Sequence, residues 1–210
     1  MGKEIEKKDF QLEDNHINAL QEISNIGAGN ALTALCKLLH RNIVMSLPSI
    51  SLVDFKEASD FLGGSEKVML GILSNVHSDH VDGIIMFLLD LNHAKTLICS
   101  VLGREFSEDF ELGELELSAI TEVGNILNSS YLNAISALLD ERLVSSIPHV
   151  SIDMAAAILS VPAIEFGKVS DESLLIKNTF ELEEKNIDGY FLFVPDVDSF
   201  KFVFSSLGLS

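Results

Sequence analysis

The sequence predicts an α/β (α+β) fold in which a central mixed sheet of about six strands is flanked by two long helices and by shorter helices. Three observations lead to this class. The stretch 17–54 recurs 100 residues later, two segments space their apolar residues as helices do, and the apolar run 84–89 has the length of a buried strand. We therefore expect a single domain over 1–210, made of two repeats about a pseudo-twofold axis.

The internal repeat divides the chain at 12–103 and 113–207, with the hinge near Gly103–Gly113. About a third of the positions in 17–54 carry the same residue at +100, and most others exchange one apolar residue for another. The identical positions are Ala19, Glu22, Asn25, Ile26, Leu32, Ala34, Leu38, Leu39, Val44, Ser46, Pro48 and Ser51.

Each repeat begins with an amphipathic helix. Apolar residues at positions 17, 20, 23, 31, 35, 38 and 39 keep helical spacing, and the second repeat has counterparts to them. The acidic run 108–116 lies at the start of the second helix, where negative charge interacts favourably with the helix dipole.

Strands follow each long helix. One is expected to begin near Pro48 and another near Pro148, because proline is tolerated at the first residue of a strand or at a sheet edge. Two antiparallel hairpins come next, each closed by a short helix. They are predicted at 67–75 with 81–90 and helix 92–102, and at 173–183 with 187–195 and helix 196–207.

Charge and composition limit the possible partners. A net charge of −18 makes nucleic acid and anionic lipid poor partners. The apolar runs fall short of the roughly 18 residues that a membrane helix needs, and Met1–Phe10 lacks the apolar core of a signal peptide. We expect a cytoplasmic protein without membrane insertion, with Cys36 and Cys99 as core residues.

Two polar stripes are the candidate functional residues. Positions i, i+4 and i+7 share one face of a helix. Glutamate can pair with a lysine, and asparagine can both donate to and accept from a water molecule. A single stripe of this kind is also typical of a solvated helix face, but its recurrence beside diverged surface positions favours a function. The stripes are Asn18, Glu22 and Asn25, and Ser118, Glu122 and Asn125.

The second stripe resembles the motif of the CheC-type phosphatases, a family that includes CheX and FliY. That motif is Asp or Ser, three residues, Glu, two residues, Asn, and then some 21 or 22 residues to Pro. Ser118, Glu122, Asn125 and Pro148 match it fully. The resemblance spans essentially the whole chain.

The first stripe matches the same motif at Glu22, Asn25 and Pro48, while Asn18 replaces the usual acid or hydroxyl. Two motifs in one chain are typical of the two-motif CheC type. If the first motif residue only orients the glutamate, both sites are active. If it must be an acid or hydroxyl, only the second site is fully active.

The resemblance implies a phosphatase that hydrolyses the aspartyl phosphate of a phosphorylated chemotaxis response regulator, CheY. Glu22 and Glu122 would pair with a lysine of the regulator, and Asn25 and Asn125 would hold the attacking water. The regulator would supply Mg²⁺, so the chain needs no cofactor of its own. An alternative from another class stays open, namely a non-catalytic adapter that binds CheY or the receptor deamidase CheD.

The resemblance also implies CheD as a partner. The small-residue stretch Ser151–Leu159, with Asp153, resembles the region expected to contact CheD, and a short buried helix is the alternative interpretation. The internal pseudo-dimer favours a monomer.

Two other patterns give weaker predictions. His77 and His80 lie in a predicted turn without a third ligand at a fixed spacing, so no metal site is expected. Gly27–Asn30 resembles a phosphate loop but lies within a helix and follows no strand. Its glycines would permit close approach either of a neighbouring helix or of the docked regulator.

Overall fold

The structure is a computed structural model that describes residues 14–54, 57–105, 110–166, 172–182 and 185–206. Part of the predicted hinge, Gly103–Gly113, lies outside the described residues. The helices are α1 (Asp14–Leu39), α2 (Ala58–Phe61), α3 (Leu91–Val101), α4 (Glu114–Leu139), α5 (Ala155–Phe166) and α6 (Val197–Ser206). The strands are β1 (Val44–Met45), β2 (Ser49–Asp54), β3 (Val68–His77), β4 (Asp82–Asp90), β5 (Val144–Ser145), β6 (His149–Met154), β7 (Glu172–Leu182) and β8 (Lys185–Pro195).

The predicted fold class is confirmed, with two corrections to the sheet. It contains eight described strands instead of about six, in the order β1-β7-β8-β4-β3-β5, with β2 also pairing with β7 and β6 with β3. The prediction of a mixed sheet was wrong, because every pair among the described strands is antiparallel. The central β4–β8 pair, which joins the two halves of the chain, is antiparallel as well.

The two halves of the chain contain their main elements in the same order. Helices α1 and α4 each have 26 residues, and strands β2 and β6 begin directly after Pro48 and Pro148, as predicted. The β3–β4 and β7–β8 hairpins and the closing helices α3 and α6 also occur where they were expected. This order is what the predicted repeat would give.

The sheet is buried on both faces. Along β4, Ile85, Phe87 and Leu89 join a core under α1, α3 and α4, whereas Ile84 and Met86 join a second core with residues of α2 and α5. Successive side chains of a strand point to opposite faces. A strand covered on both faces is therefore continuously apolar, which is the sequence pattern of 84–89.

Helices α1 and α4 are in close contact at Gly27. A Cβ at this position would lie 2.5 Å from Cδ1 of Tyr131 on α4. Tyr131 is only 1% exposed, its ring stacks on Phe191 at 4.3 Å, and its hydroxyl donates to Oδ1 of Asn178 at 2.6 Å. Burial raises the pKa of Tyr131 far above its usual range, so the phenol stays a neutral donor. Of the two explanations for the glycines, the neighbouring helix is the correct one for Gly27.

The two long helices run antiparallel. Leu20 and Ile23, near the start of α1, line one apolar cavity with Ile135, near the end of α4. At the other end, Leu38 of α1 borders a depression together with Ser118 of α4. Among the described residues, no helix is long and apolar enough to cross a membrane.

The packing of Gly27 gives a stability prediction. Gly27→Ala should destabilise the protein by about 1–3 kcal/mol, because the Tyr131 ring is held by two partners and cannot move aside. For a chain of this size the melting temperature should fall by roughly 2–4 °C per kcal/mol. Differential scanning calorimetry would measure this change.

The matched control is Gly29→Ala on the same helix, where a Cβ would meet nothing within 4 Å. That change should raise the melting temperature, since alanine favours a helix interior over glycine by about 1 kcal/mol. Equal effects of the two substitutions would contradict the close packing of α1 on α4.

Candidate functional site

The side chains of both predicted stripes lie on the solvent side of their helices. Asn18, Glu22 and Asn25 are exposed, while the opposite face of α1 is buried through Leu20 and Ile23. In the second stripe, Ser118, Glu122 and Asn125 are exposed as well, and none of them is among the buried residues of α4. The predicted placement of the stripes is therefore confirmed, whereas their catalytic roles stay predictions.

The four glutamate and asparagine side chains are free to engage a partner. Within the described part of the chain, no hydrogen bond or ion pair occupies Glu22, Asn25, Glu122 or Asn125. The neighbouring Thr121, by contrast, uses its hydroxyl within its own helix, where it donates to the carbonyl of Leu117. The stripes thus present rows of unused carboxylate and carboxamide groups.

The surface around the first stripe carries few charges for a protein with a net charge of −18. On the side of α1 that carries the stripe, the described exposed side chains include the amides of Asn18, Gln21 and Asn25, and Glu22 is the charged residue there. Ile26 is also 41% exposed there. A solvated helix face of an acidic protein would be expected to carry more carboxylates. The face resembles a binding surface, where charge is depleted and amide and apolar groups are retained.

The stripes form two separate sites. Gly27 faces Tyr131 and the helices are antiparallel, so Asn125 lies opposite position 33 of α1. At a rise of about 1.5 Å per residue, the two asparagines are then about 12 Å apart along the helix axes. The two glutamates lie further out than the asparagines, toward opposite ends of the helix pair. Each site therefore has its own glutamate–asparagine pair.

The second stripe borders an open depression that sequence reasoning did not predict. It is lined by Leu38 of α1, Val101 of α3 and Leu115 of α4, next to Ser118 and Glu122. Leu115 is 55% exposed. The sequence signal that could have revealed the depression is an apolar residue three positions before the motif serine, on the face of the helix that carries the stripe. Apolar contacts beside a carboxylate suit a protein partner better than a small ion.

The first turn of α4 is held by Glu116. Oε1 of Glu116 accepts from Nη1 of Arg104 at 2.6 Å, and Oε2 accepts from the backbone N–H of Gly113 at 3.1 Å. Backbone N–H groups, first that of Glu116 itself, together with Arg104 hold the pKa of Glu116 below its ordinary value, against the opposing effect of desolvation. These contacts position the turn that precedes Ser118. The corresponding residue of α1 is His16, which offers no carboxylate.

The other predicted site residues lie outside the two long helices. Pro48 and Pro148 are half-buried just before β2 and β6, and each follows a highly exposed aliphatic residue, Leu47 at 88% and Ile147 at 89%. Asp153 is exposed on β6 and is paired in register with Met69. The interpretation of Ser151–Leu159 as one short buried helix was wrong, because β6 continues to Met154 and α5 begins at Ala155.

The two histidines of the β3–β4 turn have carboxylate partners. Nδ1 of His77 lies 2.5 Å from Oδ1 of Asp82, whose hydrogen bond raises the pKa of the imidazole. Nδ1 of His80 lies 3.3 Å from Oε1 of Glu141, and its ring stacks on Phe202. Within the described ranges, no cluster of three His, Cys, Asp or Glu side chains could hold a metal.

Comparison with known proteins places the chain in a family. The CheC-like family profile matches residues 16–52 and 115–143, which include both stripes. The CheY-P phosphatase CheC of Bacillus subtilis is 31% identical over 203 residues, covering 95% of this chain and 97% of that protein. The chain belongs to the CheC-like family.

Two further comparisons are with FliY proteins. The flagellar motor switch phosphatase FliY of Bacillus subtilis is 26% identical over 79% of this CheC-like chain, which spans 42% of that longer protein. The crystal structure of Thermotoga maritima FliY has the same fold, with a TM-score of 0.71 at 22% identity, over 94% of this chain and 98% of that one.

The Glu116 contacts predict a pH-dependent stability. The pKa of Glu116 is lower in the folded chain than in the unfolded chain. Its stabilising effect is therefore complete above the unfolded value, about 4.3, and is lost as the pH falls through the folded value. Glu116→Gln should melt below wild type at pH 7, and the gap should narrow as the pH falls into the acid range. Thermal melts across this range would measure it, with the exposed Glu111→Gln as control. A gap that does not change with pH would contradict the assigned role of the carboxylate.

Proposed function

We propose that this chain is a phosphatase that hydrolyses the aspartyl phosphate of a phosphorylated response regulator of the CheY type. The observation that carries the proposal is the pair of exposed stripes whose glutamates and asparagines have no partner within the described protein. Membership in the CheC-like family supports it, as does the activity for which the Bacillus subtilis relative is named, that of a CheY-P phosphatase.

The stripe supplies positioning for the reaction. The regulator brings the phosphorylated aspartate, Mg²⁺ and a lysine, so that all of them belong to the substrate. Glu22 or Glu122 would pair with that lysine and align the helix across the regulator's active site. The geometry of the helix would then set the asparagine one turn away, over the phosphoryl group.

The asparagine would act on the attacking water. Its carboxamide oxygen accepts a hydrogen bond from the water, and its amide can donate to a phosphoryl oxygen. Water attacks phosphorus in line with the aspartyl oxygen, the P–O bond to the aspartate breaks, and inorganic phosphate and a free carboxylate leave. Phosphoryl transfer depends mainly on positioning and on stabilising charge, so a non-covalent helix face is sufficient.

CheD is proposed as a second partner, at the edge of the sheet. Asp153 is exposed on β6, and its neighbours Ile152 and Met154 are 41% and 46% exposed. Among the described strands, β6 pairs with β3 on one side, so its outer edge can meet another protein.

The asparagines provide the direct test of catalysis. Loss of phosphate from phosphorylated CheY should be accelerated by wild type, less by Asn25→Ala or Asn125→Ala, and about 10- to 1,000-fold less by the double variant. Binding to the beryllofluoride-activated regulator should persist in the double variant, because both glutamates remain. If wild type binds CheY or CheD without accelerating the loss, with or without CheD, the chain is an adapter and the phosphatase proposal fails.

The two sites should differ in rate. Asn125→Ala should cost more activity than Asn25→Ala, because the second motif has its serine and its helix start is held by Arg104 and Glu116. In the Asn125→Ala background, Asn18→Ser should raise the remaining activity, measured as initial rates of phosphate release. Equal losses in the two single variants, with no gain from Asn18→Ser, would show that the first motif position does not limit the rate.

A further inference from the structure

Gly29 has no structural explanation within the protein. It lies in the interior of α1, it is exposed, and a Cβ there would meet nothing within 4 Å. Its backbone is helical, so it does not need the left-handed conformations that favour glycine. Alanine would fit the space and favour the helix. By contrast, Tyr131 accounts for Gly27, and Ile72 accounts for Gly124, where a Cβ would lie 2.3 Å from a side-chain carbon.

The position of Gly29 is on the first stripe. Asn18, Glu22, Asn25 and Gly29 follow the spacing i, i+4, i+7 and i+11, which keeps them on one face of the helix. One turn later, the hydroxyl of Thr33 donates to the carbonyl of Gly29 at 2.9 Å, so this side chain is turned back onto the helix. The surface beyond Asn25 is therefore a notch in which the helix backbone is uncovered, the Gly29 notch.

We propose that the Gly29 notch receives a backbone segment of the phosphorylated regulator when it docks on the first stripe. This inference rests on the proposed function and extends the docking surface one turn past Asn25. The notch adjoins the Glu22–Asn25 pair, so a regulator bound to that pair also reaches the notch. Ile26, which is 41% exposed, lies beside the pair and offers an apolar contact. A contact at the bare backbone brings Asn25 closer to the phosphoryl group than a side chain at position 29 would allow.

The two sites then differ in how closely the regulator can approach the helix backbone. The residue of α4 that corresponds to Gly29 is Ser129, which is half-buried. A serine side chain partly fills the same place on the second stripe. The second site instead has the apolar depression lined by Val101 and Leu115. The chain thus presents one docking surface with the Gly29 notch and a second docking surface beside the apolar depression.

The test uses the full chain in two backgrounds. In Asn125→Ala only the first site acts, and in Asn25→Ala only the second. Gly29→Ala should raise the melting temperature by roughly 2–4 °C and yet slow dephosphorylation in the Asn125→Ala background at least about threefold. Gly29→Gln should slow it at least about tenfold, and in a Glu122→Lys background, where the second site no longer binds the regulator, it should weaken binding of the beryllofluoride-activated regulator to the same extent, a change of about 1.4 kcal/mol. Neither substitution should change the rate in the Asn25→Ala background.

Asn30→Ala is the matched control, because it also favours the helix and lies next to Gly29 but away from the stripe. It should leave both backgrounds unchanged. Unchanged activity with Gly29→Gln in the Asn125→Ala background, together with unchanged binding in the Glu122→Lys background, would overturn the proposal. Equal losses of activity in the Asn125→Ala and Asn25→Ala backgrounds would overturn it as well. If neither background shows phosphatase activity, the proposed function fails, and the effect of Gly29→Gln on regulator binding still decides whether the notch is a docking surface.

Discussion

The contact between α1 and α4 is the constraint on which the rest of the structure depends. A glycine at position 27 allows the Tyr131 ring to lie against the backbone of α1. The same ring stacks on Phe191 of β8, and its hydroxyl is bonded to Asn178 of β7. One side chain therefore fixes the spacing of the two long helices and their height above the sheet. The outward direction of both stripes follows from that arrangement.

Much of the fold could be predicted because its signals are local. Periodicity located the long helices, and apolar stretches of strand length located the hairpins, so that β4 and β8 lie within two residues of their expected bounds. The two-residue strands β1 and β5 could not be found in this way, because their pairing with β7 and β3 depends on partners far along the chain. The direction of the central β4–β8 pair also depends on how the halves join.

The candidate site was predictable in its residues but not in its surroundings. Spacing alone placed Glu22 and Asn25 on one exposed face, since the geometry of a helix determines which positions share a face. It could not separate Gly27 from Gly29, because the difference arises from a tyrosine more than 100 residues away. The depression near Ser118 is built from three helices and has no signature in any one of them. Ser151–Leu159 was misread because a strand and a helix follow each other there without a glycine or proline between them.

The antiparallel packing of the long helices also interlocks the two halves of the chain. Leu38, at the end of the first long helix, borders the depression beside Ser118 and Glu122. In the same way Ile135, near the end of the second, closes the cavity under Leu20 and Ile23. Each long helix is thus packed on residues of the other half of the chain, although each stripe lies on one helix. A fragment cut between α3 and α4 would therefore have to recruit a second half, of its own kind or of the other, before it could present its stripe on a packed helix to a regulator.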